Sequence, residues 1–414
     1  MSERKPMLSA QQALDLLLDA AVPVTGAETL PTEAANGRVL AAAVESALNV
    51  PSADNTQMDG YAVRAADCTN GDILLPVSQR IPAGMVGQPL APGSAARIFT
   101  GAMIPPGADA VVMQEQCEAL ERDGQVMVRV RHRPESGEWV RRTGEDIRAG
   151  SVILEAGTRL RPQELGLAAS VGLARLSVVR RLRVAVFFTG DELAMPGEPL
   201  KPGAIYNSNR FTLRGLLENL GCAVSDFGIV PDSLDATRAT LRRAALEHDL
   251  IITSGGVSVG EEDHVKPAVE AEGRLNLWQI AIKPGKPLAF GEVAREGGKT
   301  FFVGLPGNPV SSFVTFLLFV RPFILRLQGA KDIRDVVPRA LALRADFGWD
   351  KTDRRNEFLR ARMNEQGGLD LFPNQGSAVL SSMAWADGLV DNPAGNVIKS
   401  GDVVRFLPFA QLLA

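Results

Sequence analysis

One stretch of the sequence combines glycines with hydroxyl side chains in a way that suits an anionic ligand. Residues 253–260 read Thr-Ser-Gly-Gly-Val-Ser-Val-Gly and directly follow the short apolar run 250–252. Glycines let backbone amides approach a ligand closely, and the hydroxyls add further donors. A plain turn between a strand and a helix would have a similar composition. We predict a phosphate or oxyanion site here if charged groups lie nearby.

Acidic residues occur close to this loop and after the first strand of the same region. Asp191 and Glu192 follow the apolar run 183–188, and Asp263 follows the glycine-rich loop. Adjacent strand ends would bring these carboxylates together, and oxygen ligands beside phosphates are how Mg²⁺ is usually held. Capping of helices or turns is the competing interpretation. The pattern predicts a metal site at the edge of the sheet.

Two lysines, Lys283 and Lys286, lie on one short turn of sequence Lys-Pro-Gly-Lys-Pro. A stiff Pro-Gly turn would hold both ammonium groups near one place. Lysine is a good point charge for phosphate, although most lysines are simply solvated at the surface. We expect this turn to face the same ligand.

The elements that must position these residues alternate between strand and helix from about residue 181 to 328. The predicted N-caps of its helices are Ser208, Asp232 or Ser233, and Asn308. Strands joined by helical crossovers predict a doubly wound parallel sheet, which binds ligands beyond the carboxyl ends of its strands. The strand patterns cover 183–188, 223–230, 250–252 and 301–304.

The two flanks of this region have other patterns. Residues 8–20 predict an amphipathic helix capped by Ser9. From about 40 to 160, short β-prone runs between Gly and Pro turns predict a β-rich module. After about residue 329, short strand patterns predict a separate small β domain. A chain of 414 residues is long enough for several domains, each with its own core.

The composition argues against several classes of protein. A net charge of -4 without a long basic block gives no indication of nucleic-acid or membrane binding. The apolar stretch 310–325 contains Arg and Pro and is too short for a bilayer, so we expect a buried helix. Three dispersed cysteines and three dispersed histidines disfavour disulfides, structural zinc and a histidine-based triad. The first ten residues show no export signal, so we expect a cytoplasmic protein.

Taken together, the motifs resemble those of the molybdopterin molybdenumtransferase family, which includes MoeA and the gephyrin E-domain. Eight stretches occur in the family's order and span nearly the whole chain, whereas any one of them alone would be a weak indication. The stretch 54–62 packs two acids, two amides and a tyrosine into a turn-prone segment. The other matching stretches are 97–102, 144–147, 189–193, 205–209, 253–263, 283–287 and 304–310.

The resemblance implies that molybdate replaces the adenylyl group of adenylyl-molybdopterin, giving molybdenum cofactor and AMP with a divalent metal, for which we expect Mg²⁺. It implies a homodimer whose active-site cleft is completed by the partner subunit. The fold would be multidomain α/β plus β, with a central molybdopterin-binding, MogA-like domain, a β-rich insert domain and a C-terminal domain like a β-barrel. The implied domains are 1–50 with 147–180, 51–146 for the insert, 181–328 for the α/β domain and 329–414.

Carried over motif by motif, the resemblance gives the matching residues roles. The catalytic set would be Asp59, Thr100, Asp146, Asp263 and Lys283. The side that binds pterin phosphate and molybdate would consist of Ser254, Gly255, Gly256, Ser258, Lys286, Pro306, Pro309 and Ser377. The metal would be held by Asp191, Glu192, Asp232 and Asp263. No strong nucleophile is needed, because breaking a phosphoanhydride depends mainly on neutralising its charge.

Three positions depart from the family pattern. His264 stands where many members have Tyr, and histidine can titrate near neutral pH. Gln279 occupies a position that is often Lys or Arg, which would remove one contact to an anion. Ser233 follows Asp232 where a second acid is common, which weakens the metal-binding role there.

Three other functions stay open. A molybdopterin adenylyltransferase would share the α/β domain but would need neither 51–150 nor the C-terminal domain. A non-catalytic scaffold could lose the acids Asp59, Asp191 and Asp263, so their presence favours an enzyme. A specialised paralogue would insert another metal or serve one class of enzymes. The further partners expected are other proteins of cofactor biosynthesis and acceptor molybdoenzymes.

Overall fold

The N-terminal segment forms one helix and two short strands before a large insertion. The computed structural model describes residues 7–257 and 264–413. Helix α1 spans Ala10–Ala20, and Ser9 caps it as predicted. The Ser9 hydroxyl accepts a hydrogen bond from the Gln12 amide, and the Gln12 side chain accepts one from the Ser9 amide. Strands β1 (Ala27–Pro31) and β2 (Val44–Glu45) follow.

The insertion folds around a six-stranded sheet, as its β-rich sequence predicts. Its strands are β3 (Asn55–Thr56), β4 (Gly60–Val63), β5 (Ile73–Ile81), β6 (Ala95–Ile98), β7 (Ala110–Met113), β8 (Cys117–Arg122), β9 (Gln125–Val130) and β10 (Val140–Arg141). The sheet has the order β7-β4-β6-β5-β9-β8, and β3 pairs separately with β10. Tyr61 and Val63 enter one apolar cluster while Ala62 enters another, so both faces of this sheet are covered.

After the insertion, the chain forms elements that pair with those before the insertion. Strand β11 (Val152–Leu154) pairs with β2, helix α2 spans Pro162–Ser170, and β12 (Arg175–Val179) pairs antiparallel with β1 over five residues. Leu40 from before the insertion and Leu160 from after it belong to one buried cluster. The two pieces therefore pack as one unit, while the exact limits of the four domains stay a prediction.

An α/β unit occupies the middle of the chain. Its strands are β13 (Arg183–Thr189), β14 (Leu193–Ala194), β15 (Ile205–Tyr206), β16 (Ala223–Val230), β17 (Leu250–Ser254), β18 (Gly273–Gln279), β19 (Ile282–Lys283), β20 (Pro287–Arg295) and β21 (Gly298–Leu305). Its first helices are α3 (Ser208–Asn219), α4 (Leu234–Glu247) and α5 (Val265–Glu272). Along β13, Val186 packs into the core that contains α3, and Phe187 packs into the core that contains α4 and α5. Helices cover both faces of the sheet, which confirms the doubly wound fold.

One edge of this sheet is antiparallel. The strand order is β16-β13-β17-β21-β20-β18, in which the first four strands are parallel and the last two are antiparallel to their neighbours. Strands β18 and β20 were not predicted from the sequence. The alternation of polar and apolar residues in 273–277 is typical of an antiparallel strand with one solvated face.

The longest apolar helix lies in the core. Helix α6 (Pro309–Thr315), a π-helical turn (Phe316–Val320) and α7 (Arg321–Leu327) run on continuously. Pro322 lacks the amide that would bond to the Leu318 carbonyl, which accounts for the irregular turn. Among the described residues this helix alone is long and apolar enough to cross a membrane, but 83% of its apolar window is buried in the protein. The predicted buried helix is confirmed.

The C-terminal strands close into a five-stranded barrel. They are β22 (Leu341–Ala345), β23 (Asn356–Met363), β24 (Gly368–Leu371), β25 (Gly388–Asn392) and β26 (Val403–Pro408), with short helices α8 (Ile333–Val336), α9 (Ser381–Trp385) and α10 (Phe409–Leu412). The order β22-β24-β23-β25-β26 returns to β22. Strand β19 of the middle region adds to the barrel by pairing in parallel with β23. The barrel and the α/β unit therefore share a seam.

A buried carboxylate ties the N-terminal unit to the α/β sheet. Asp249, just before β17, is 7% exposed. Its two oxygens accept hydrogen bonds from Arg180 Nη1 and Nη2 at 2.7 and 2.8 Å, and the Arg183 amide donates at 2.9 Å. Burial raises the pKa of Asp249, but these bonds outweigh it and leave the pKa below its usual value. The carboxylate is ionised where the chain enters β13.

We expect Asp249→Ala to lower the free energy of unfolding by about 3 kcal/mol, because it leaves the Arg180 guanidinium without its partner. Urea unfolding followed by tryptophan fluorescence measures the change. Since the folded-state pKa is depressed, the stabilisation is present above about pH 4 and is lost as the pH falls through the folded-state pKa. Asp123→Asn, at an exposed pair with Arg122, is the matched control. Equal losses in both variants would contradict the role of Asp249.

Candidate active site

A large cavity of about 1060 Å³ lies beyond the carboxyl ends of β13, β17 and β21. Thr189 and Ser254 line it at two of these strand ends, and residues 306–309 line it after the third. Residues 375–378 of the barrel unit form part of the opposite wall. An open α/β sheet is expected to bind its ligand in this position.

The glycine-rich loop comes so close to the end of β13 that only glycine fits. Gly255 and Gly256 have φ angles of +98° and +64°. A Cβ atom on Gly255 would lie 2.6 Å from the Thr189 carbonyl oxygen, and one on Gly256 would lie 2.7 Å from Thr189 Oγ1. That buried hydroxyl has no hydrogen-bond partner in the described part of the chain. Glycine backbone that lines the cavity beside an unsatisfied polar atom fits an anionic ligand. Ser258, expected in the same loop, lies outside the described residues.

The Ser254 hydroxyl joins two loops of the site. It donates to the Pro306 carbonyl at 3.0 Å and accepts from Asn209 Nδ2 at 2.8 Å. Asn209 also donates to the Gly307 carbonyl at 2.7 Å. This hydroxyl is engaged within the protein, so a contact between Ser254 and a ligand would come from its backbone. Asn209 lies in one of the matching stretches, but no role was predicted for it from the sequence.

A loop of the barrel unit meets the beginning of α6. The Ser377 carbonyl oxygen accepts a hydrogen bond from the Val310 amide at 3.0 Å. The first amides of a helix have no acceptor within it, so this loop completes the end of the helix. Pro306, Pro309 and Ser377 all line the cavity. The structure therefore brings these three predicted residues together.

The two lysines of the Pro-Gly turn both line the cavity, but their surroundings differ. Lys286 is exposed. The Lys283 ammonium donates to Glu357 Oε1 at 3.0 Å and lies 3.5 Å from Asp353 Oδ2. Both lysines reach the site as expected, and Lys286 has the greater freedom to meet an anion.

Arg355 is a cation of the site that was not predicted from the sequence. It lines the cavity from the loop before β23. Its Nε and Nη2 each donate to Asp353 at 2.9 Å, and these bonds hold the pKa of the Asp353 carboxyl well below its usual range. The guanidinium keeps further donors for a ligand. The spacing of residues in the sequence could not predict that Arg355 lies at the cavity, because Arg355 is far along the chain from the Lys283–Lys286 turn.

Only some of the predicted metal-binding acids line the cavity. Glu192 and Asp232 line the cavity, whereas Asp191 is exposed and does not. Asp263 lies outside the described residues. Within 7–257 and 264–413, no group of three or more His, Cys, Asp or Glu residues is placed to hold a metal. Mg²⁺ is commonly bound by one or two carboxylates together with substrate phosphates, so Glu192 and Asp232 suit that ion.

The predicted residues of the insertion lie away from this cavity. Asp59 accepts hydrogen bonds from the Thr100 hydroxyl at 2.6 Å and from the Thr100 amide at 2.7 Å. These bonds hold the pKa of Asp59 below its usual value. Asp146 lines a separate cavity of about 470 Å³ with Arg141 and Glu145. In the part of the chain that is described, these acids and the main cavity do not meet within one subunit.

The three departures from the family pattern have different surroundings. His264 directly precedes α5, and Gln279 ends β18 outside the lining of the cavity. The Ser233 hydroxyl caps α4 by accepting a hydrogen bond from the Ala236 amide at 3.3 Å, as one of the two predicted caps. The predicted cap at Ser208 is wrong, because Asn207 caps α3 instead. The Asn207 side chain accepts a hydrogen bond from the Arg210 amide at 3.1 Å, so the helix begins one residue earlier than a cap at Ser208 would allow.

Three family models match successive parts of the chain. Residues 8–172 match the MoeA N-terminal region (domain I and II), residues 185–326 match a probable molybdopterin binding domain, and residues 342–409 match the MoeA C-terminal region (domain IV). The chain belongs to the MoeA family. A molybdopterin molybdenumtransferase of Haemophilus influenzae is 42% identical over 98% of this chain and 100% of its own length. Molybdopterin molybdenumtransferase 2 of Mycobacterium tuberculosis is 40% identical over 88% of this chain and 90% of its own length.

Solved structures of MoeA proteins have the same architecture. A molybdopterin biosynthesis MoeA protein from Pyrococcus horikoshii matches with a TM-score of 0.82 and 29% identity, over 97% of this chain and 100% of that one. A second structure of a MoeA protein from the same organism matches with a TM-score of 0.76 and 30% identity, over 98% of this chain and 99% of that one. The MoeA likeness thus extends over the insertion, the α/β unit and the barrel.

We expect Gly255→Ala to lower the free energy of unfolding by about 2 kcal/mol, because the added Cβ meets the Thr189 carbonyl at a φ of +98°. The affinity for pyrophosphate, used as a probe of the anion site, should fall by about tenfold or more. Urea unfolding and titration calorimetry measure the two effects. Gly298→Ala is the matched control, since a Cβ there meets no atom within 4 Å. Unchanged affinity in the Gly255 variant would show that this close approach does not serve binding.

Proposed function

We propose that this MoeA family member inserts molybdate into adenylyl-molybdopterin and releases molybdenum cofactor and AMP. The observation that carries the proposal is the convergence of the glycine-rich loop, Lys286 and Arg355 on one cavity of about 1060 Å³. This convergence occurs in a chain related over almost its whole length to molybdopterin molybdenumtransferases. A cavity of this size has room for a pterin that carries an adenylyl group.

The residues of the cavity suit the cleavage of a phosphoanhydride. Such a reaction depends on neutralising negative charge and on positioning donors toward the phosphate oxygens. We propose that the Gly255 and Gly256 backbone, with Ser258, cradles the pterin phosphate. Lys286 supplies a mobile point charge, and Arg355 supplies a planar set of donors that can bind two oxygens of a tetrahedral oxyanion such as molybdate.

We propose Mg²⁺ as the metal, held by Glu192 and Asp232 with Asp263 and the phosphate oxygens of the substrate. Oxygen ligands are the preferred ligands of this ion. When bound, it supplies positive charge that stabilises the phosphoanhydride as it breaks. Asp191, which is exposed beside Glu192, would add a further carboxylate near the ion.

We propose a homodimer in which Asp59, Thr100 and Asp146 approach the cavity of the partner subunit. Support comes from the hydrogen bonds of Asp59 to Thr100, which hold an ionised carboxylate in place outside the cavity of its own subunit. Two-fold symmetry would give the dimer two equivalent sites. We also propose a cytoplasmic location, which agrees with the free state of all three cysteines.

The alternative functions fit less well. An adenylyltransferase would leave Arg355 and Ser377 of the barrel unit without a role at the cavity. A scaffold would leave the converging cations unexplained. A specialised paralogue would use the same residues, so the comparison of molybdate with tungstate distinguishes it from the general enzyme. Proteins that deliver the precursor and molybdoenzymes that receive the cofactor are the partners that this reaction requires.

We expect the wild-type protein to release AMP from adenylyl-molybdopterin when molybdate is supplied, and the rate with tungstate in its place measures the choice of metal. Asp59→Asn should lower the rate by about 100-fold or more, because it removes a positioned charge. Asp263→Ala should have a similar effect. Chromatographic measurement of AMP gives the rates, with Asp72→Asn as an exposed acidic control on the same unit. A wild type without AMP release would refute the function, and full turnover in Asp59→Asn would remove Asp59 from the site.

Mixing two inactive variants tests whether the site is shared between subunits. Asp59→Asn and Lys286→Met alter opposite sides of the proposed site. If these sides come from different subunits, each mixed dimer has one intact site, and random exchange restores about a quarter of wild-type AMP release. Mixing either variant with itself is the control. No recovery after proven subunit exchange would place both residues in a site formed by one chain.

A further inference from the structure

A carboxylate lies buried between the cavity wall and the inside of the barrel unit. The Glu357 side chain, on β23, is 1% exposed. Its Oε1 accepts a hydrogen bond from Lys283 Nζ at 3.0 Å, and its Oε2 accepts one from Trp349 Nε1 at 2.8 Å. Asn392 Nδ2 lies 3.5 Å from Oε2. Burial of a charge is costly unless it is paired, so these donors fix where the carboxylate can lie.

The main chain also holds Lys283 and Glu357 opposite each other. In the parallel pairing of β19 with β23, Lys283 is in register with Glu357 and Ile282 with Asn356. The Asn356 amide also donates to the Ala281 carbonyl at 2.8 Å. Both the backbone and the ammonium group of Lys283 are therefore set by one strand of the barrel. Glu357 itself does not line the cavity, whereas Lys283 does.

The contacts of Glu357 extend to a second cation of the cavity wall. Lys283 Nζ lies 3.5 Å from Asp353, and Asp353 holds the Arg355 guanidinium through two hydrogen bonds of 2.9 Å. Carboxylates and cations thus alternate from Glu357 to Arg355. An ammonium group has three donors, so these contacts leave capacity for a ligand in the cavity.

We propose that Glu357 is a positioning residue of the active site, which acts through Lys283 and does not touch the substrate. It holds the Lys283 ammonium at the cavity wall before substrate binds. In this way it also fixes the spacing between Lys283 and Arg355. The consequence for catalysis rests on the proposed function. The orientation of Lys283 does not depend on the proposed function, so it can be tested in the absence of turnover.

The first test measures the chemical reactivity of Lys283 in the full-length protein. Acetylation with a limiting amine reagent, followed by mass spectrometry of peptides, gives the rates of Lys283 and Lys286 in one sample. We expect Glu357→Gln to raise the rate of Lys283 by about tenfold, because a charged hydrogen-bond partner is lost, and to leave Lys286 unchanged. Glu292→Gln, which removes the partner of Lys299 away from the cavity, is the matched control. An unchanged rate at Lys283 would overturn the proposal.

The second test separates positioning from binding and folding. We expect Glu357→Gln to lower kcat for AMP release by about 10-fold to 100-fold, with a change in KM for molybdate of less than about threefold. Glu357→Asp keeps the charge and should restore part of the rate. Urea unfolding identifies any loss of rate that comes from unfolded protein, and in that case the Asp variant decides the outcome. Wild-type kcat in folded Glu357→Gln would overturn the proposal.

A double variant tests whether Glu357 acts through Lys283. In a Lys283→Met background, Glu357→Gln should lower kcat by no more than about twofold, because the group that it positions is already absent. Independent, multiplying effects would overturn the proposal. Should the wild type release no AMP, the proposed function fails, while the acetylation rates still decide whether Glu357 positions Lys283.

Discussion

The parallel pairing of β19 with β23 holds the walls of the main cavity together, because it joins the strand-and-helix unit to the barrel. On one side of this seam the strand ends expose the glycine-rich loop, and on the other side the barrel contributes Arg355 and Ser377. The hydrogen bond from the Val310 amide to the Ser377 carbonyl is a second link between the strand-and-helix unit and the barrel. The shape of the cavity therefore depends on how two units are held, and neither unit forms it alone.

Carboxylates prepare the cations of this cavity for an anionic ligand. Glu357 and Asp353 hold Lys283 and Arg355, so that neighbouring positive charges can remain close when no ligand is present. Groups that are oriented in advance need little reorganisation when the reaction begins, and this is a main source of electrostatic catalysis. Lys286 is exposed and has no such constraint, which suits a residue that follows the ligand as it enters.

Local patterns in the sequence predicted local structure well. The cap at Ser9, the buried strand β13 and the turn into α6 each depend on residues within a few positions of one another. Arg355 was missed because its place at the cavity follows from a pairing between distant strands, which no local pattern encodes. The use of the Ser254 hydroxyl as a link between loops could not be predicted either, since its partner Pro306 lies far along the chain. Family resemblance, rather than spacing, indicated that Asp59 and Thr100 belong to the site.

The position of Asp59 and Asp146 gives the proposed dimer a physical rationale. Neither residue lines the main cavity, whereas Lys286 and Arg355 do, so in the proposed dimer the two sets would meet only when two subunits associate. In the described structure Asp59 is instead satisfied by Thr100, and Arg355 is satisfied by Asp353. Asp59 and Arg355 therefore each have a partner within one subunit, and in the proposed dimer their remaining hydrogen-bonding capacity would be available to a ligand bound between the two subunits. If the proposed dimer forms in this way, subunit association is a condition for the chemistry, whereas these pairings within each subunit do not depend on it.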